Sequence, residues 1–284
     1  MPELPEVETV RRGLEDAMIG NTITKVVLRR QDLRRPLPRG FARHLEGARI
    51  RSIRRRAKYV IVDLDSELSL IMHLGMSGSF RIDDVAEAKG DLRPHDHVIF
   101  QLSSGRRVIY NDPRRFGSMD IVPRARLDAT PPFDRIGVEP LGPDFTAEGL
   151  ALLLAGKATS IKAALLDQRV VAGLGNIYVC EALWRARISP LRRAASLVTK
   201  AGKPTAGLGR LPATIRAVLE EAILSGGSSL RNHFQTDGSL GAFQHSFDVY
   251  GRAGEKCHRS GCNGTIRRVT QAGRSSFYCP TCQK

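Results

Sequence analysis

The sequence predicts a multidomain chain of mixed α and β structure: an opening helix and a β-sandwich or barrel, then a helical region, then a small metal-held hairpin. Three observations predict it. Between residues 22 and 122, short Val- and Ile-rich runs recur, separated by turn residues. After residue 146 the apolar spacing lengthens to a helical period. Beyond residue 256, four cysteines fall in two close pairs.

The elements follow in order. Val7, Val10, Leu14 and Met18 recur at helical spacing, so 5–19 reads as a helix that Gly20 ends. ITKVVLR, ARIRSI, YVIVDLD, LSLIMHL, SFRID, HVIFQL, RRVIYN and SMDIV read as strands. The Pro-rich TPPFDRIGVEPLGPDF (130–145) reads as a linker. EGLALLLAG, IKAALLDQ, GNIYVCEALWRAR and GRLPATIRAVLEEAILSG read as helices. KAGKPTAGLGR (200–210) reads as an inserted loop, and the polar, Gly-rich 226–241 as a functional one. The resulting division is 1–130, a linker at 131–145, a helical domain at 146–247 and a cysteine-bearing module at 248–284.

At 284 residues and 42% hydrophobic, the chain can bury a sizeable core. Its net charge of +15 and pI near 10.2 point to a polyanionic partner. No apolar run approaches the roughly 18 residues of a membrane span, and the acidic start lacks the apolar core of a signal peptide. The expectation is a soluble, cytoplasmic protein whose partner is nucleic acid and not a membrane.

Cys257 and Cys262 form a C-x4-C pair; sixteen residues later Cys279 and Cys282 form C-x2-C. Two such pairs around a hairpin-length insert suit one tetrahedral zinc ion held by four thiolates, in preference to two disulfides. Four thiolates leave no open position, so the zinc would be structural. TIRRV and RSSFYC read as the two strands of the hairpin, with Arg274 in its turn or just after it. Residues 250–284 carry seven basic side chains against Glu255 alone. Cys180, in YVCEALW, reads as an inert core residue.

Other stretches carry chemistry more weakly. Lys58 stands at the mouth of a strand, in phase with Val60, Val62 and Leu64, and is either a snorkelling edge residue or a functional amine. HLGMSGSF (73–80) sets His73 and Met76 at a Gly-rich turn, where both could equally be core. NDPRRFG (111–117) pairs arginine with an aromatic ring, a combination used to enter a base stack. GLGNIY (173–178) lacks the third glycine and preceding strand of a dinucleotide loop. As a turn into a helix it offers Asn176 and backbone N–H groups to a phosphate. Pro2 and Glu3 suit a helix start.

Together, PELPEVET, RRAKY, HLGMSGS, HDHV, DPRRFG, GLGNIY, VYGR and GRSSFYCPTCQ, in this order, resemble the bacterial formamidopyrimidine-DNA glycosylases, also called 8-oxoguanine DNA glycosylases. The resemblance spans essentially the whole chain. It implies an N-terminal β-sandwich flanked by helices, a helical domain with a helix-two-turn-helix, and a zinc hairpin finger, with DNA between the two halves. It implies a bifunctional enzyme of base excision repair that removes 8-oxoguanine and formamidopyrimidines from duplex DNA and cuts the abasic strand by β,δ-elimination. With Met1 removed, Pro2 would carry a secondary amine that attacks the sugar C1′ and forms an iminium, the logic of a Schiff-base lysine. The positive end of a helix disfavours the cationic amine.

The resemblance further implies that Glu3 shuttles protons to the opening sugar. Lys58 would act in β-elimination as proton donor or phosphate contact, and Arg274 would hold the phosphate and assist δ-elimination. His73 and Asn176 would join Arg274 on the backbone. Met76, Arg114 and Phe116 would fill the gap left by the extruded base, with Arg114 facing the orphaned cytosine. His95 and Lys157 match further DNA-binding positions, and Ser228 and Ser229 begin the loop that closes over the flipped base. A monomer suffices for such a clamp, at work in a bacterial cytoplasm and on the nucleoid. One departure stands out: many members have C-x2-C where this chain has C-x4-C. Two rivals remain at this stage. One is a sister glycosylase of the endonuclease VIII type, which prefers oxidised pyrimidines. The other is a non-catalytic zinc-finger DNA-binding protein, which would have no need of Pro2, Glu3 and Lys58 together.

Overall fold

The structure is a computed structural model that describes residues 2–84, 92–229 and 236–284. It divides into two compact units: Met1–Asp134 with Ile223–Ala242, and Arg135–Ala222 with Phe243–Lys284. This grouping differs from the sequence-based division. It parts the Pro-rich stretch after Asp134 and assigns 223–242 to the first unit.

In the first unit, α1 (Leu4–Met18) is followed by β1 (Ile23–Leu28), the short α2 (Phe41–Leu45), β2 (Ile50–Arg56), β3 (Tyr59–Leu64), β4 (Leu68–His73), β5 (Ser79–Asp83), β6 (Asp96–Leu102), β7 (Arg107–Asn111) and β8 (Ser118–Pro123). All eight runs read as strands are strands. They form two antiparallel four-stranded sheets, ordered β1-β6-β7-β5 and β2-β3-β4-β8. Alternation in β3 sends Val60, Val62 and Leu64 into one core with Val10 and Leu14 of α1 and Phe100 and Val108 of the other sheet. The helix starts one residue before its expected place because Glu3 caps it: the carboxylate of Glu6 accepts the Glu3 N–H at 2.8 Å.

Register decides what meets at one end of these sheets. Tyr59 pairs with His73, and His73 with Ser118. In the other sheet Asn111 pairs with both Ser79 and Asp96. The β2–β3 turn, the β4–β5 and β7–β8 connections and His95 therefore gather at the same end. Helix α1 is directed there too. Arg11 donates to the Ile53 carbonyl at 3.2 Å and Glu8 pairs with Arg55 at 3.3 Å, so the start of α1 runs toward the Ala57–Lys58 turn.

The second unit carries α3 (Ala147–Leu154), α4 (Ile161–Leu166), α5 (Asn176–Arg185), most of α6 (Ala206–Leu224), and the hairpin β9 (Arg267–Gln271) and β10 (Arg274–Tyr278). Thr146 and Ser160 cap α3 and α4 through their hydroxyls. Turns at 167–175 join α4 to α5. The end of the stretch read as loop, 206–210, is the first part of α6. There Leu208 donates to the Thr205 hydroxyl and Gly209 to the Thr205 carbonyl, so the helix begins before Pro212, which sits inside it. Proline marks a helix start in a sequence, but here a local cap by Thr205, upstream of it, sets the start. No helix among the described residues is long and apolar enough to cross a membrane.

Candidate active site and zinc centre

Lys58 occupies the two-residue turn between β2 and β3, behind Ala57 at φ 52°. It is 6% exposed, and Glu3 is 4% exposed. Pro2, just ahead of the α1 cap, is buried. His73 ends β4 with its ring 4.7 Å from that of Tyr59. Burial, and then the charges of Lys58 and Arg34, lower the His73 pKa to about 4. The imidazole is therefore neutral at physiological pH. Its Nδ1 accepts the Gly75 N–H at 3.1 Å, so the proton sits on Nε2, which is left as a neutral donor.

Beyond His73, the connections 74–78 and 112–117 pack backbone to backbone. A Cβ on Gly75 would lie 2.3 Å from the Phe116 carbonyl carbon, and one on Gly117 would lie 1.8 Å from the Tyr110 hydroxyl. Only glycine permits this approach. The contact lifts Met76 and Phe116 to the surface, about two-fifths exposed each, and Arg114 stacks over the Phe116 ring at 4.7 Å. Neither Met76 nor Phe116 belongs to the core, the alternative left open for Met76 by its sequence.

Asp112 ties these connections together and was missed in the sequence, where DPRRFG drew attention only for its arginines. Fully buried, its carboxylate accepts from Ser77 Oγ at 2.5 Å, Gly117 N at 2.8 Å and Tyr110 OH at 3.2 Å. Its carbonyl meets His97 Nε2 at 2.9 Å. Burial, then the Asp112 charge, push the Tyr110 pKa well up, so this phenol remains a donor. His95 stands beside the network at φ 69°. It lines a cavity of about 380 Å³ with Ser77, Arg81, Arg93 and Asn111.

Glu6 is the second missed residue. Besides the Glu3 N–H it accepts the Ser228 N–H at 2.8 Å, so one buried carboxylate joins the helix start to the base of the 226–242 segment. Ser228 bridges to Ala242, and Ser229 Oγ accepts the Gly241 N–H at 2.9 Å. The tip expected to cover a flipped base includes 230–235, which lie outside the described residues.

In the second unit, Asn176 opens α5 and donates to the Ser275 carbonyl at 3.0 Å. Lys162 of α4, only 1% exposed, reaches the same carbonyl at 2.8 Å and Ser276 Oγ at 2.7 Å. Both hold the strand next to Arg274, which is exposed at the first position of β10, just past the Ala272–Gly273 turn. Glu181 of α5 accepts the N–H groups of Asp248, Val249 and Tyr250 and so ties down the chain leading to the cysteines. A lone charge inside an apolar helix was the only sequence signal for Lys162 and Glu181. Lys157 is half-buried after α3, and its carbonyl accepts the Ala195 N–H at 3.1 Å.

The sulfurs of Cys257, Cys262, Cys279 and Cys282 lie within 4.8 Å of one another, with Cys257–Cys282 at 3.8 Å and Cys262–Cys279 at 3.6 Å. Tetrahedral zinc–thiolate bonds of about 2.3 Å place sulfurs roughly 3.8 Å apart, whereas a disulfide needs about 2.05 Å. The four cysteines thus fit one structural zinc ion. Burial opposes ionisation of Cys279, but the N–H groups of Cys282 and Thr281 outweigh it and hold that thiol at about 7.

Comparison with known proteins matches this architecture part by part. Residues 1–119 match the formamidopyrimidine-DNA glycosylase N-terminal domain, 136–233 the formamidopyrimidine-DNA glycosylase H2TH domain, and 254–284 a zinc finger found in FPG and IleRS. The formamidopyrimidine-DNA glycosylase of Methylocella silvestris is 59% identical over the full length of both chains. The Lactococcus lactis Fpg, solved in complex with DNA containing an abasic site, superposes with a TM-score of 0.86 at 35% identity and 99% coverage of each chain. A MutM solved with DNA containing carbocyclic 8-oxo-G gives 0.86 at 35% identity, covering both chains completely. The class so defined is that of the zinc-finger DNA glycosylases of base excision repair, which also carry AP lyase activity. This chain belongs to the formamidopyrimidine-DNA glycosylase family.

Proposed function

We propose that this glycosylase excises oxidised purines, 8-oxoguanine and formamidopyrimidines, and that Pro2 is its nucleophile. The observation that carries the reading is the shared end of the first unit. There the start of α1, Lys58 and a neutral His73 are gathered beside an exposed Met76, Phe116 and Arg114. Chemistry needs the desolvated groups, and extrusion of a base needs the exposed ones.

In this reading, the Pro2 amine, freed by loss of Met1, attacks C1′ as the base leaves with a proton. Glu3 protonates the ring oxygen as the sugar opens to the iminium. Lys58 serves β-elimination as proton donor or phosphate contact. His73 donates Nε2–H to a phosphate oxygen without carrying a charge, and Asn176 and Arg274 grip the backbone from the second unit, with Arg274 assisting δ-elimination. Met76, Arg114 and Phe116 occupy the vacated stack, with Arg114 against the orphaned cytosine. His95 and Lys157 add backbone contacts, and the segment beginning at Ser228 and Ser229 covers the flipped base. One copy of the chain supplies every group.

The test is borohydride trapping on a duplex with one 8-oxoguanine opposite cytosine. An adduct mapping to Pro2 is the expected result. Trapping on thymine glycol but not 8-oxoguanine would move the substrate to oxidised pyrimidines. An adduct on Lys58 would remove Pro2 from its role.

A further inference from the structure

The first cysteine pair encloses His258, Arg259, Ser260 and Gly261. Its turn closes with the Cys262 N–H on the Arg259 carbonyl at 3.0 Å. That turn projects Arg259 onto Trp184, in the last part of α5. The guanidinium carbon lies 4.3 Å from the indole centroid, and Nη2 donates to the Trp184 carbonyl at 2.5 Å. The indole in turn points at the metal site: its Nε1–H donates to Cys257 Sγ at 3.3 Å. Trp184 is 8% exposed, and it is the single tryptophan of the chain.

We propose that Trp184 and Arg259 form an outer layer of the zinc centre, in which the indole N–H neutralises part of the Cys257 thiolate charge and the stacked guanidinium holds the longer first loop against α5. Four thiolates around Zn(II) leave an anionic cluster. An N–H donor on one sulfur and a cation close by both favour that cluster over the metal-free thiols. Groups of this kind typically change metal affinity by 10–100-fold. The C-x4-C loop thus has a use: it carries Arg259 onto the end of α5. The same contact makes Trp184 a reporter of metal occupancy.

The experiment follows zinc release from the intact protein into excess chelator with a zinc-sensitive dye, alongside Trp184 emission. Trp184→Phe keeps an aromatic ring but loses the N–H together with the five-membered half of the indole, so it is expected to release zinc about tenfold faster while binding one equivalent at saturation. Arg259→Ala is expected to exceed it, and Arg259→Lys, which keeps charge without the planar fork, to fall between. In the wild type, Trp184 emission is expected to change in step with zinc loss. Release at the wild-type rate from both Trp184→Phe and Arg259→Ala overturns the proposal. Should either variant fail to fold, unchanged wild-type emission on metal removal overturns it equally, because the contact would then not sense the metal.

Discussion

Two neighbouring regions of the first unit are built in opposite ways. Pro2, Glu3 and Lys58 are buried and His73 is half-buried, and burial lowers the proton affinity of His73. Met76, Arg114 and Phe116, on the connections just beyond those strands, are held out into solvent. The difference teaches how a site divides labour. Desolvation keeps the His73 imidazole neutral, whereas a group that must replace a base has to be exposed until DNA arrives. Asp112 permits the contrast, because its buried carboxylate fixes the backbone from which exposed side chains project.

The comparison breaks first at Pro2. Blocking its amine with an added N-terminal residue is expected to abolish the trapped adduct and lower single-turnover base excision by about 10³-fold or more, with Tm unchanged. Excision at the normal rate would show that the buried corner is structural only. Next, Asp112→Ala leaves three donors around an emptied site and is expected to cost about 3 kcal/mol in denaturant unfolding. If stability instead holds, the brace does not exist.

A third expectation concerns acid. The folded His73 pKa, near 4, lies below the ordinary 6.5. The unfolded chain therefore binds the proton first, and stability falls as pH drops from about 6.5 toward 4, by on the order of 2–3 kcal/mol. His73→Gln should flatten that part of the pH–stability curve; an unchanged curve would place the imidazole in water. The smallest effect sharpens the contrast most. Phe116→Ala should slow excision roughly tenfold yet alter stability by no more than about 0.5 kcal/mol. A loss above about 1.5 kcal/mol would make the wedge part of the core.

Much of this was legible locally. Eight strands announced themselves because alternation is a property of neighbours in sequence, as in Val60, Val62 and Leu64. The zinc ligands were legible for the same reason, since two close cysteine pairs need only a hairpin to meet. Arg274 stands at the first position of β10, just past the turn between the two strands read there. What escaped was whatever depends on partners far along the chain. Nothing near Glu6 reveals that it meets Ser228, and nothing in CHRSGC names Trp184.

By itself, then, the sequence determined the strands, the helical periods, the four zinc ligands and the family. Tertiary structure alone decided which of these residues share an end of a sheet, that His73 is neutral while Met76 and Phe116 face water, and that Asp112, Glu6, Lys162 and Trp184 hold the rest in place. The physical reason is one of range. Backbone geometry and apolar periodicity act over a few residues, but desolvation and buried hydrogen bonds exist only once distant segments have closed around a group.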